Sequence, residues 1–110
     1  MAMKVFIVED EMMAQKSLIR TLNQNFPDLT VVGTSTSVTG TVAWLMNPEN
    51  HADIIFMDVE LSDGECFEIF RKITVKAKVI MTTAYDSYAI KAFEAGSVDY
   101  LLKPIELSAL

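Results

Sequence analysis

The sequence predicts a doubly wound α/β fold on a five-stranded parallel sheet, and three observations predict it. Short apolar runs alternate with helical segments along the whole chain, which is how a parallel sheet wrapped by helices reads. The first strand, Lys4 to Val8, reads as an apolar run without alternation, as a strand buried on both faces should. At 110 residues the chain is one domain, spanning 1–110, and long enough to bury a real core.

The first strand is read at Lys4 to Val8, rich in Val, Ile and Phe. A helix follows to about Phe26, because Ala14, Leu18, Leu22 and Phe26 recur every four residues and Ile19 widens the stripe. Pro27-Asp28 ends it. The second strand falls near Leu29 to Gly33. Ser37 is a natural N-cap for the second helix, which carries Val38, Val42, Leu45 and Met46 inward until Asn47-Pro48 stops it. Strand three runs from Asp53 to Met57 and ends at Asp58. A loop through Ser62-Asp63-Gly64 leads to a third helix with Phe67, Phe70 and Ile73 inward. Strand four is Lys78 to Met81, ending at Thr82-Thr83. A fourth helix is expected from about Ser87 to Ala95, with Gly96 as its C-terminal glycine. Strand five, near Val98 to Leu102, ends at Lys103-Pro104. Glu106 to Leu110 reads as the first turn of a fifth helix, truncated; covering the sheet flank would take roughly ten more residues.

Just over half the residues are apolar and 22% are charged, an ordinary globular composition. The net charge of −6, with nine basic residues scattered and never in a run, argues against gripping a phosphate backbone. Direct contact of this chain with nucleic acid is therefore not expected. Cys66 is the only cysteine, so no internal disulfide exists, and a reduced, cytoplasmic setting is expected. No signal peptide is read at Met1-Ala2-Met3-Lys4, and no apolar run approaches the roughly 20 residues that cross a bilayer.

The chemistry lies at the strand ends. The first strand ends in Glu9-Asp10-Glu11, the third in Asp58, the fourth in Thr83 and the fifth in Lys103. In an open parallel sheet these carboxyl ends share one edge, and ligands bind where the strand order reverses. Carboxylates gathered within a few ångströms repel one another, which raises a pKa or demands a cation. Hard oxygen donors suit Mg²⁺, which takes one or two carboxylates directly and keeps several waters. With that charge cancelled, a phosphoryl donor can approach a carboxylate nucleophile. Asp58 is the natural nucleophile, since aspartate forms acyl phosphates. Lys103 would pair with one phosphoryl oxygen and the Thr83 hydroxyl would donate to another.

These residues resemble the response-regulator receiver domains of two-component systems. The resemblance covers the whole chain: Glu9-Asp10 after strand one, Phe56-Met57-Asp58-Val59-Glu60-Leu61-Ser62-Asp63-Gly64, Thr83-Ala84, and Tyr100-Leu101-Leu102-Lys103-Pro104. It implies the CheY-like (flavodoxin-like) strand order 2-1-3-4-5. It also implies phosphorylation of Asp58 by a sensor histidine kinase or a small acyl phosphate. Mg²⁺ would be held by Glu9, Asp10, Asp58 and the main-chain carbonyl of Glu60. Thr83 and Tyr100 would switch inward on phosphorylation, and the Lys103-Pro104 bond would be cis. Glu60 and Tyr85 sit at positions that tune dephosphorylation in the family, and slow hydrolysis is the expectation. The stretch from Thr82 to Glu94 looks most like receivers joined to LytTR-type DNA-binding domains, so an output domain absent from this chain is implied, with transcription regulation as its task. A homodimer through the fourth helix, fifth strand and fifth helix is a further expectation. Ser62 and Glu9 depart from the commoner proline and aspartate without putting phosphorylation in doubt.

Each residue also has a plainer reading. Alone, Glu9-Asp10-Glu11 is helix N-terminal charge answering the macrodipole. Thr83 would cap a helix, Lys103 would be a solvated lysine, and Tyr100 would be a core aromatic. His51 is expected to be exposed, Cys66 a small helix residue, Trp44 partly buried, and the seven methionines mostly core filler. Two other classes compete with the phosphoacceptor switch. A phosphatase using an aspartyl phosphate would want a second aspartate where Glu60 stands. An FMN module would want a neutral phosphate loop where Glu9-Asp10-Glu11 stands. A degenerate receiver, kept only as an interaction surface, would not need every site residue retained.

Overall fold

The computed structural model describes residues 3–83 and 99–102, with Thr83 and 99–102 described in backbone only. The main sheet has five strands: β1 (Met3–Val8), β2 (Leu29–Ser35), β3 (Ile54–Asp58), β6 (Lys78–Thr83) and β7 (Asp99–Leu102). Their order is β2-β1-β3-β6-β7, with every pairing parallel. In terms of the long strands this is the expected 2-1-3-4-5. A small antiparallel hairpin, β4 (Glu60–Leu61) and β5 (Gly64–Glu65), projects beyond Asp58. Among the described residues the helices are α1 (Met12–Asn25), α2 (Val38–Met46) and α3 (Phe67–Lys72).

Alternation of side chains across the strands builds a core on each face of the sheet. From β1, Val5 and Ile7 point to one face and Phe6 and Val8 to the other. From β3, Phe56 joins Val5 and Ile7, while Ile55 and Met57 join Phe6 and Val8. Helix α1 closes the first face with Leu18, Ile19 and Leu22, and Phe26 follows at its C-cap. Helices α2 and α3 close the second with Val38, Val42, Leu45, Phe67 and Ile69. Each large apolar side chain buried this way contributes about 1.5–3 kcal/mol. Central strands buried on both faces need apolar residues at every position, which is why they read as unbroken runs.

Several sequence expectations are corrected. Strand two runs on to Ser35, and Ser62-Asp63 is the two-residue turn of the β4–β5 hairpin rather than an open loop. Met46 is 66% exposed, and Thr41 takes the inward place on α2. The methionines divide: Met57 and Met81 are buried, whereas Met3, Met12, Met13 and Met46 are exposed. Their unbranched thioethers tolerate either setting. Ser37 caps α2 as expected, its hydroxyl accepting from the Gly40 amide at 2.9 Å. Trp44 stacks on Phe6 with ring centroids 4.0 Å apart. The expected fourth helix with Gly96, the fifth helix, Tyr85, and the Lys103-Pro104 bond lie outside the described residues.

Candidate functional site

The sheet places the site by its order. All five strands point the same way, but their order steps outward from β1 to β2 on one side and from β3 to β6 and β7 on the other, so the order reverses between β1 and β3. The chain leaves β1 at Val8 and enters Glu9-Asp10; it leaves β3 at Asp58. Both ends open on the same rim, at the place where such sheets bind ligands.

Glu9, Asp10 and Asp58 each bring a carboxylate oxygen to this rim, and these atoms all lie within 4.8 Å of one another. Glu9 and Asp58 are buried and Asp10 is exposed. Between the two buried carboxylates the repulsion is on the order of 3 kcal/mol at an effective dielectric of about 20. A divalent cation among them would turn that repulsion into shared attraction. The donors are hard oxygens only, with one side of the group open to solvent through Asp10, as an ion that keeps its waters requires. The donor set therefore fits Mg²⁺.

The surrounding backbone is held in place. The Glu60 amide donates to Asp58 Oδ1 at 3.4 Å, and the Glu11 amide donates to Glu9 Oε2 at 3.1 Å. The Val59 amide donates to the Thr82 carbonyl at 3.1 Å, tying the segment after Asp58 to β6. Asp58 pairs in register with Thr82, and Thr83 with Leu102, so the ends of β6 and β7 lie along the same rim. The side chains of Thr83 and Tyr100, and Lys103 as a whole, lie outside the described residues. Glu60 follows Asp58 by two residues as the first residue of the hairpin.

Two contributors went unread in the sequence. Gln15 is buried on α1, and its amide nitrogen donates to the carbonyls of Glu9 at 3.3 Å and Ser35 at 3.5 Å. It pins the turn that carries Glu9 to the end of β2. A polar residue interrupting the apolar stripe, one turn before Leu18 and Ile19, was its only signal. The second is the hairpin turn. Asp63 accepts from the Val38 amide at 2.6 Å, from the Thr39 amide at 3.0 Å and from the Thr39 hydroxyl at 2.8 Å. These bonds, led by the Thr39 amide, hold the Asp63 carboxyl below its ordinary range. Ser62 donates to the Thr36 carbonyl from its amide at 3.2 Å and its hydroxyl at 3.0 Å.

Cys66 is fully buried at the base of the hairpin, its amide donating to the Val59 carbonyl at 2.8 Å. Burial pushes its thiol up to about 12, with Asp58 and Glu65 adding to the effect. His51 is exposed as expected, but its Nε2 lies 2.9 Å from Asp53 Oδ1.

Comparison with known proteins agrees with the geometry. Residues 5–110 match the response regulator receiver domain. The chain is 36% identical over 107 residues to the sensory transduction protein LytT of Bacillus anthracis, covering 94% of this chain and 42% of the relative. It is equally 36% identical to LytT of Enterococcus faecalis, covering 94% of this chain and 43% of that protein. The chain thus spans about two-fifths of the length of these relatives. Among solved structures it is similar to the response regulatory domain of protein mrkE from Klebsiella pneumoniae, with TM-score 0.85, 30% identity, and 97% of this chain and 88% of that one covered. A parallel sheet in the order β2-β1-β3-β6-β7, an acidic cluster at its switch point and a family match over nearly all its length lead to one conclusion: the chain belongs to the receiver domains of two-component response regulators.

Proposed function

We propose that this receiver takes a phosphoryl group onto Asp58 in a Mg²⁺-dependent reaction and passes the change to an output domain. The observation that carries the proposal is the convergence of Glu9, Asp10 and Asp58 within 4.8 Å at the switch point of the sheet. Glu9, Asp10, Asp58 and the Glu60 carbonyl would hold the ion. Mg²⁺ bound there supplies charge neutralisation at the transferring oxygens. A carboxylate oxygen of Asp58 attacks phosphorus, and the bond from phosphorus to the donor breaks with its electron pair staying on the donor. That donor is a phosphohistidine of a sensor histidine kinase, or a small acyl phosphate. Lys103 pairs with a phosphoryl oxygen, Thr83 donates to another, and Thr83 and Tyr100 carry the switch.

The domain acts as a phosphoacceptor switch rather than a turnover enzyme. It shifts an existing conformational equilibrium when modified. Similarity to LytT proteins supports a LytTR-type DNA-binding output domain and a role in transcription regulation, with more than half of those relatives lying outside the matched part. A cytoplasmic location follows from that role; among the described residues no helix is long and apolar enough to cross a membrane. A homodimer is part of the same proposal.

Incubation with acetyl phosphate and Mg²⁺ tests the reading. Intact mass should rise by one phosphoryl group, and Asp58→Asn should remove the gain. A mass gain that persists in Asp58→Asn places the acceptor elsewhere. Asp10→Asn should weaken Mg²⁺ binding.

A further inference from the structure

Resting on that reading of the site, we infer that Asp63 is a positioning residue for phosphoryl transfer. It fixes the main chain of Glu60 beside Asp58 by fastening the tip of the β4–β5 hairpin to the start of α2.

The hairpin is too small to hold its own shape. Each strand has two residues, Glu60 opposite Glu65 and Leu61 opposite Gly64, and isolated two-stranded ribbons are marginal in water. Its geometry comes from its anchors. At the base are the Val59 amide on the Thr82 carbonyl, the Cys66 amide on the Val59 carbonyl, and the Glu60 amide on Asp58 Oδ1. At the tip, Ser62 holds the Thr36 carbonyl twice and Asp63 holds Val38 and Thr39 through three bonds. Hydrogen bonds to an ionised carboxylate are roughly twice as strong as neutral ones, so Asp63 dominates the tip. Gly64, at φ 150, brings the chain back beneath it, with the Glu68 carboxylate packed where a Cβ would stand.

A plain helix cap would be the simpler reading of Asp63. Helix α2 already has one in Ser37, which accepts from the Gly40 amide. The carboxylate is additional to that cap, and it comes from a segment 24 and 25 residues away whose first residue would hold the ion. Outer-shell partners that orient a ligand typically change metal affinity by 10–100-fold. Coupling of this kind is reciprocal. An ion at Asp58 that orders the Glu60 main chain also steadies the amides at the other end of the hairpin.

The test compares wild type, Asp63→Ala, Asp63→Asn and Ser62→Ala by Mg²⁺ calorimetry and by amide exchange at Val38 and Thr39. Asp63→Ala should weaken Mg²⁺ by on the order of tenfold, with Asp63→Asn between it and wild type because one accepting oxygen remains. In wild type, Mg²⁺ should slow exchange at the Val38 and Thr39 amides, and this coupling should vanish in Asp63→Ala. If Asp63→Ala fails to fold, Asp63→Asn and Ser62→Ala carry the comparison. Wild-type Mg²⁺ affinity in whichever variants fold, with only the melting temperature lowered, makes Asp63 a cap and overturns the inference alone. Wild type that binds no Mg²⁺ overturns the inference together with the reading of the site.

Discussion

A thiol sealed from water, with the carboxylates of Asp58 and Glu65 nearby, has every reason to keep its proton. Cys66 is fully buried and its pKa stands near 12 against an ordinary 9.0. The stability this contributes is present below about pH 9 and is lost as pH rises towards 12, because the unfolded chain releases the proton first. Thiolate is the reactive form. Ellman's reagent at pH 8 should leave native protein unlabelled while labelling the urea-unfolded chain at once. Rapid native labelling would show that the base of the hairpin opens far more often than its packing implies. Gln15 teaches a related lesson. A buried amide on the inward stripe of α1 is unreadable as functional until its two carbonyl partners, six and 20 residues away, are seen.

Among the elements, β2 passes close beneath the Phe6–Trp44 stack at Gly33. A Cβ there would stand 3.0 Å from Phe6 Cε1 and 3.0 Å from Trp44 Nε1, inside the stacked aromatic pair. Gly33→Ala should cost about 1–3 kcal/mol through overpacking. Emission from Trp44, the only tryptophan, should change with it if the stack is displaced. Urea titration followed by fluorescence reads both effects. The same elements show what periodicity conveys. Strands β1, β3 and β6 were legible because burial on two faces leaves no polar positions to confuse the pattern. Helix α2 was legible at its cap but not at Met46, since a stripe on a nine-residue helix cannot say which of its edges meets the sheet. The hairpin was missed because two-residue strands carry no period.

Over the whole molecule, polar work is divided between the two ends of the sheet. The carboxyl ends carry the acidic cluster. At the opposite end Asp53 accepts from the Lys4 amide at 2.8 Å, and its own main chain pairs with Lys4 and Lys78. One residue thus joins the openings of β1, β3 and β6. Chiefly the Lys4 amide, and then His51, hold its carboxyl below the usual 3.8. A lowered carboxyl contributes stability that is present above the unfolded value and lost as pH falls through the folded one. Asp63 adds a contribution of the same sign. Urea midpoints measured from pH 6 downward should therefore fall less steeply in Asp53→Asn than in wild type. The cluster of Glu9, Asp10 and Asp58 was legible because strand ends alone determine it. The Asp63 tether was not, because it depends on how two loops meet after folding.

That tether has one more effect. The opening amides of a helix attract oxyanions, and a receiver that took phosphoryl groups as proposed above would have cause to avoid decoys. By lodging its own carboxylate on Val38 and Thr39, the chain plugs that end of α2 from within. Those two amides are thereby already occupied by the chain's own carboxylate and not offered to a passing anion.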